Sequence, residues 1–311
     1  MIESAYPIVS HDGSAIQMMR WSKSGNKPKL HWAHATGFNA KTYTPLLREL
    51  LPHFDVHTWD MRGHGESRSA GNPKTFRGWT TYYQDLIAVL DQASEPMWLA
   101  GHSIGATTSL AAAAQRPDKV KGLVLVEPVL LDPKQGFALR LANWFGFADR
   151  IAMAAAAARR RASFPTHRDA FENYRSKKAF GTWSDEWLQA YVEHGFVPTS
   201  NNEVELACPP HWESLTFQHT EPNAARWIRD PGCPIHILAA GKGSTFPATA
   251  HARIQKRLPK AHIEVIADAT HFLPMEHTEL VVLWGVNAQV TLKNSWNMPD
   301  HEGQAGFKAL K

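Results

Sequence analysis

Cysteine is almost missing from the chain. Only Cys208 and Cys233 occur among 311 residues, too few for a framework of disulfide staples. They read as thiols in a reducing compartment. No run of about 18 apolar residues occurs, so no membrane span is expected. The N-terminal MIESAYPIVSHDG carries Glu3 early and has no apolar h-region, so a signal peptide is not expected either and a cytoplasmic protein is the default. An excess of one charge sign is also lacking: 33 basic against 29 acidic residues leave +4. That is too mild to point to nucleic acid. Only Arg159-Arg160-Arg161 approaches a basic run; it reads as the solvated face of a helix, with attraction of an acidic substrate as the rival reading. The histidine pairs His31/His34 and His53/His57 lie in strand-like segments without a clear third ligand, so no metal site is expected. What is present is ordinary for a globular core, 43% hydrophobic and 20% charged residues, in a length that allows one large domain or one domain with a sizeable insertion.

Short apolar runs alternate with helix-like stretches. The runs are Leu30–Ala33, Val56–Trp59, Met97–Ala100, Leu123–Val126, Ile235–Ala240 and Ile263–Ala267. Such runs fit strands buried on both faces, as in a parallel sheet. Thr42–Leu51, Trp79–Ala93 and Ile104–Gln115 carry apolar residues at helical spacing or are Ala-rich. The alternation predicts an α/β doubly wound domain. It breaks between about Leu130 and Pro222. There an Ala block, three arginines and many aromatics (Phe164, Tyr174, Phe180, Trp183, Trp187, Tyr191, Phe196, Trp212 among them) predict a mostly helical insertion between two core strands. An insertion there would sit over the carboxyl ends of the strands, where open α/β sheets bind ligands. From about Asn294 the chain is polar and reads as a loose tail.

Met97-Trp98-Leu99-Ala100 runs into Gly101-His102-Ser103-Ile104-Gly105, and an Ala-rich helix follows. This is G-x-S-x-G between a strand and a helix, the setting of a nucleophile on a sharp turn. Small flanking residues give room where strand and helix crowd. The plain rival is a serine that merely caps the helix. Three further pieces accompany it: His34-Ala35-Thr36-Gly37-Phe38, Trp59-Asp60-Met61-Arg62-Gly63-His64-Gly65-Glu66-Ser67, and Thr270-His271-Phe272-Leu273-Pro274-Met275-Glu276. In this order, from about Leu30 to Trp284, the chain resembles an α/β-hydrolase-fold protein with a helical cap inserted in it.

That resemblance implies roles. Ser103 is the expected nucleophile and His271 the expected general base, an imidazole whose pKa near working pH suits proton transfer. The oxyanion donors are expected to be the backbone N–H of Ile104 and, two places after the His that ends the third strand, of Thr36, with Phe38 as the alternative. Asp60–Ser67 reads as architectural, with Arg62 set to pair with a carboxylate. The acid is the puzzle. Most relatives carry it after the strand Ile235–Ala240, where this chain has Gly241-Lys242-Gly243-Ser244-Thr245 and no carboxylate. Asp230 precedes that strand, at the wrong end of the sheet. Asp268 lies three residues before His271. Glu127 ends the strand run Gly122–Val126, before Pro128, on the functional face; a subset of the fold, including haloalkane dehalogenases, carries its acid after this strand. Glu127 is the expected acid, with Asp268, a cap carboxylate or none as rivals. Ser244 is a further candidate for a hydrogen bond near His271. Dehalogenases and epoxide hydrolases of this fold use an Asp nucleophile, whereas a serine suits acyl transfer.

The expectation is therefore an α/β-hydrolase fold, with a core of residues 1–129 and 221–293, a helical cap 130–220 and a tail 294–311. Its activity would be hydrolysis of small to medium apolar or aryl carboxylic esters by Ser103, His271 and Glu127 through an acyl-enzyme. A carbon–carbon hydrolase, lactonase, thioesterase or perhydrolase on the same fold is the alternative, and a silent ligand-binding member the remote one. Twelve tryptophans and an aromatic lid point to an apolar cleft, though any single cap aromatic reads first as part of the cap's own core. The expected partner is a small-molecule acyl substrate. No cofactor, metal, nucleic acid or membrane span is expected, and a homodimer is left open.

Overall fold

A computed structural model of the protein describes residues 2–228 and 231–295. Asp230 and the tail beyond Ser295 lie outside the described residues. In chain order the first half contains β1 (Ile2–Val9), β2 (Ala15–Trp21), β3 (Lys29–Ala33), α1 (Thr44–Leu50), β4 (Asp55–Trp59), α2 (Trp79–Gln92), β5 (Met97–His102), α3 (Ile104–Ala113) and β6 (Val120–Val126). There follow α4 (Pro133–Trp144), α5 (Ala152–Ala158), β7 (Ser163–Phe164), α6 (His167–Arg175), α7 (Asp185–His194), β8 (Phe196–Pro198), β9 (Val204–Leu206) and α8 (Pro210–Gln218). The chain then returns through β10 (Ile235–Ala240), α9 (Ala248–Arg257), β11 (His262–Ile266), α10 (Leu273–Glu276) and α11 (Thr278–Ser295). All six apolar runs fall in strands of the main sheet, except that the last ends at Ile266 and leaves Ala267 in the turn. Asn294 and Ser295, read above as the start of a tail, are the last residues of α11.

The main sheet has eight strands in the order β1-β2-β4-β3-β5-β6-β10-β11. From β4 to β11 all pairs are parallel. The β1–β2 hairpin is antiparallel and joins the edge through β2. The apolar-run reading passed over this hairpin because it is half exposed: Ser4 to Pro7 of β1 are exposed, and in β2 the buried Ile16, Met18, Met19 and Trp21 are interrupted by the half-buried Gln17 and Arg20, so no run forms. Central strands are buried on both faces. Leu30, Trp32, Trp98, Val124 and Leu238 point to one core; Ala33, Leu99, Leu123, Leu125 and Ile237 point to the other. This is the period of two of a pleated strand. The first core is closed by α1 and α11 through Leu46, Leu47, Leu50 and Val281, the second by α2, α3 and α9 through Leu86, Leu110 and Ile254.

Strand order reverses between β3 and β5. The chain steps outward from β3 to β4, then back across to β5 and on to β6. The crevice above that switch point is where an open sheet leaves room for a ligand. The segment between β6 and β10 packs there. It is mostly helical, as expected, but also holds a three-stranded antiparallel sheet in the order β7-β9-β8, which its short runs did not announce.

The turn after β4 is held by buried charge. Asp60 accepts from the Ala40 N–H at 2.8 Å and the Glu66 N–H at 2.7 Å, while burial pushes its carboxyl up to about 6. Arg62 donates to both oxygens of Asp85, at 2.8 and 2.6 Å, and to Asp12 at 2.8 Å. Asp85 and Arg62 are buried, so deleting Asp85 leaves a buried guanidinium with only the partly exposed carboxylate of Asp12 beside it. Asp85→Ala is expected to destabilise the protein by about 3–5 kcal/mol, seen as a lower urea midpoint with an unchanged slope. A shift under about 1 kcal/mol would mean that the pair is solvated.

Candidate active site

β5 carries Ser103 out of the sheet and α3 begins at the next residue. Ser103 sits at φ 58°, ψ −121°, a strained conformation for a residue with a side chain. Its amide donates to the Val126 carbonyl at 3.0 Å, which ties the turn to β6. A Cβ on Gly105 would collide with the Ala33 carbonyl, so helix and strand approach only because that residue is glycine. The Ser103 side chain makes no capping bond to α3. Its Oγ lies 3.0 Å from His271 Nε2.

Glu127 ends β6 with its side chain buried and its backbone at φ 48°. Its Oε2 lies 3.1 Å from His271 Nδ1. An Nδ1–H donated to the carboxylate leaves Nε2 bare toward the Ser103 hydroxyl. The other bonds to Glu127 come from the end of β10 and the turn that lacks an acid. Oε1 accepts from the Ala240 N–H at 2.6 Å and the Ser244 hydroxyl at 2.7 Å; Oε2 accepts from the Thr245 N–H at 3.0 Å. Burial pushes the carboxyl up, but the bonds from His271, Ala240 and Ser244 outweigh it and hold it below its ordinary value. Ser244 was expected beside His271. It bonds Glu127 instead, and it is Thr245 Oγ1 that reaches His271 Nδ1, at 3.2 Å. Asp268, the rival acid, is exposed and points to His277 Nε2 at 3.5 Å, away from His271.

A second set of bonds joins the loop after β3 to the backbone of His271. His102 Nε2 lies 2.7 Å from the His271 carbonyl oxygen, so that nitrogen carries the hydrogen. Burial, and then His271, push the His102 imidazole well below its ordinary pKa. A neutral ring protonated on Nε2 accepts at Nδ1, and the Tyr43 hydroxyl lies there at 2.7 Å. Tyr43 Oη in turn accepts from the Ala35 N–H at 3.2 Å. Sequence reasoning missed Tyr43, His102 and Thr245; the position of His102 inside the elbow was the only local signal. In the same loop the Phe38 N–H already donates to the Ala35 carbonyl at 3.2 Å. Among the described residues no backbone bond is recorded for the Thr36 or Ile104 amide.

Aromatics of the segment between β6 and β10, and Phe272 after His271, press on this loop. Phe38 meets Trp183, Tyr191 and Phe272 with ring centroids 5.9, 5.4 and 6.3 Å apart. The arginine triplet is a partial correction. Arg159 and Arg161 are exposed, but Arg160 turns inward to Glu213 and Tyr191, and to Tyr174 Oη at 3.0 Å. A Cβ on Gly37, at φ +80°, would stand 2.6 Å from Glu213 Oε1 and 3.3 Å from Arg160 Nη1. Surface depressions of about 560 and 380 Å³ lie elsewhere, beside β1, β2 and α2, and neither includes Ser103, Glu127 or His271. Among the described residues no cluster of metal-ligating side chains occurs, and no helix is long and apolar enough to cross a membrane.

A sheet with this strand order, carrying a serine elbow after β5 and a histidine after its last strand, defines a class of protein before any comparison is made. The family model described as "alpha/beta hydrolase fold" matches residues 34–278, so the chain belongs to that family. It is 24% identical over 281 residues to a 2-(acetamidomethylene)succinate hydrolase of Mesorhizobium japonicum, covering 89% of this chain and 90% of that one. The crystal structure of an E-2-(acetamidomethylene)succinate hydrolase superposes with a TM-score of 0.74 at 19% identity, over 92% of this chain and 99% of that one, and shows the shared fold. A monoglyceride lipase of Rattus norvegicus is 29% identical over 143 residues. That match takes in 43% of this chain and 46% of the lipase.

Replacing Tyr43 by Phe removes the donor to His102 Nδ1 and the acceptor for the Ala35 N–H. Both lie in a buried place, so Tyr43→Phe should cost about 1–3 kcal/mol, measured as a lower thermal midpoint. An unchanged midpoint would mean that the three bonds do not act as a chain.

Proposed function

We propose that the protein is a serine hydrolase of small to medium apolar or aryl carboxylic esters, with Ser103 as nucleophile, His271 as base and Glu127 as acid. The observation that carries this reading is the placement of His271 between Ser103 Oγ at 3.0 Å and Glu127 Oε2 at 3.1 Å. In it, His271 Nε2 takes the hydroxyl proton as Ser103 Oγ attacks the ester carbon. Glu127, already bonded to Nδ1, holds the imidazole and opposes the positive charge that forms on it. The carbonyl oxygen becomes an anion and meets the amides of Ile104 and Thr36. His271 then returns the proton to the leaving alcohol. Water repeats the sequence on the acyl-Ser103 ester and frees the acid. The unassigned Thr36 and Ile104 amides support this choice of donors over Phe38.

Residues 130–220 act in this reading as the cap, and Phe38, Trp183, Tyr191 and Phe272 support an apolar acyl or aryl group. A second reading shares the chemistry but cleaves an amide. What favours it is the relative matched along 90% of its length, whose name is 2-(acetamidomethylene)succinate hydrolase. A panel of paired aryl esters and acyl amides separates the two.

Ser103→Ala is expected to abolish labelling by a fluorophosphonate probe while the fold stays intact by circular dichroism. A folded wild-type chain that takes no label would overturn the hydrolase reading. Glu127→Gln is expected to lower kcat by a factor on the order of 10⁴, while Asp268→Asn leaves kcat near wild type. Near-normal turnover in Glu127→Gln would move the acid elsewhere.

A further inference from the structure

The outer face of the segment that follows β6 has the wrong polarity for one that meets only water. Among the described residues ten large apolar side chains are substantially exposed, and six of them fall between residues 137 and 153: Phe137, Leu141, Trp144, Phe145, Phe147 and Met153. Trp144 is 85% exposed and the other five lie between 39% and 64%. In α4 the residues Phe137, Leu141 and Trp144 recur at i, i+4 and i+7, which is one helical face. That face points outward, whereas Gly136 and Leu139 are the buried residues of the helix. A surface helix ordinarily turns its apolar stripe to the core. Here the helix is anchored by its other side, where the Asn143 amide donates to the Gln218 carbonyl at 3.1 Å.

Charge says what fits. Lys134, Arg140, Arg150 and Arg159 flank the patch and are exposed. Among the described residues none of the four makes an ion pair; Arg150 lies over the Phe147 ring at 4.8 Å. The acids within 132–161 are Asp132, which caps α4 and accepts from the Gln135 N–H, and Asp149. An aromatic-rich apolar face rimmed by uncompensated cations matches the boundary of an anionic bilayer, where rings sink among acyl chains and cations meet phosphates. A second copy of the chain fits less well, because a two-fold contact would set the same four cations against themselves.

We propose that the 137–153 face of α4 and α5 docks this protein reversibly on an anionic phospholipid surface. The inference rests on the exposed face and its charge, and it stands whether or not Ser103 is a nucleophile. The test is co-flotation of the full chain with phosphatidylcholine vesicles, with and without phosphatidylglycerol, at low and high salt. Wild type is expected to float with the anionic vesicles at low salt and to be released by salt. Trp144→Ser with Phe145→Ser should weaken partitioning at least about tenfold. Arg140→Gln with Arg150→Gln should weaken it about 25-fold, near fivefold per charge. These side chains are exposed, so both double variants should keep the wild-type thermal midpoint and the wild-type rate on a soluble ester. Absence of binding to anionic vesicles at low salt, or binding untouched by both variants, would overturn the proposal. So would a dimer in light scattering that Trp144→Ser dissolves while vesicles are ignored, which assigns the face to a second copy.

Discussion

The buried carboxylate of Glu127 is the constraint around which the functional end of the sheet is arranged. An ionised group taken out of water must be fully hydrogen-bonded or it will protonate. Glu127 is shut off from solvent, so five donor groups converge on it: the amides of Ala240 and Thr245, the hydroxyls of Ser244 and Thr245, and His271 Nδ1. Each comes from a different part of the chain than β6. Meeting them fixes the register of β6 against β10, the shape of the turn 241–245 and the position of the loop that carries His271. A turn without an acid is therefore compatible with an intact site. It has exchanged the role of charge bearer for that of clamp, and its small, hydroxyl-rich sequence follows from that role.

The other half of the site depends on the crevice between β3 and β5. The loop after β3 is held from below at Ala35, through Tyr43 and His102, and from above by the segment between β6 and β10. Gly37 shows how tight the upper contact is, since the side chains of Glu213 and Arg160 occupy the space that a Cβ would need. The loop after β3, the turn at Ser103 and His271 are thus linked by hydrogen bonds that run across the strand ends, and the segment between β6 and β10 packs on them through Phe38. Local stiffness of this kind suits a site whose donors must stand ready before a charge develops.

Much of this was legible because the signals are local. Buried parallel strands announce themselves as apolar runs, and the elbow as small residues around a serine. Glu127 could be picked out because a carboxylate at the carboxyl end of a buried strand has few structural reasons to be there. The β1–β2 hairpin was missed for the opposite reason: an edge that meets water is interrupted by polar residues and gives no run. Tyr43, Thr245 and the inward turn of Arg160 were not legible at all. Tyr43 meets His102 across 59 positions and Thr245 meets Glu127 across 118, and no local pattern encodes such pairs. In the triplet 159–161 the three side chains are chemically equal in sequence. Packing sends only the middle one toward Glu213.

Two buried carboxylates in this protein show how the same group is used in opposite ways. Glu213 is met by the guanidinium of Arg160, so its charge is cancelled and the pair packs between α8 and Gly37. Glu127 is met by amides and hydroxyls, and among the described residues no Lys or Arg is paired with it. Neutral donors stabilise an anion without cancelling it. The negative charge of Glu127 therefore remains available to the one partner that can become positive, His271. An arginine in the place of Ser244 would satisfy the same lone pairs and make Glu127 a poorer counter-charge for an imidazolium. The turn at 241–245 carries no carboxylate; through Ser244 and Thr245 it donates to Glu127 and leaves the charge of Glu127 facing His271.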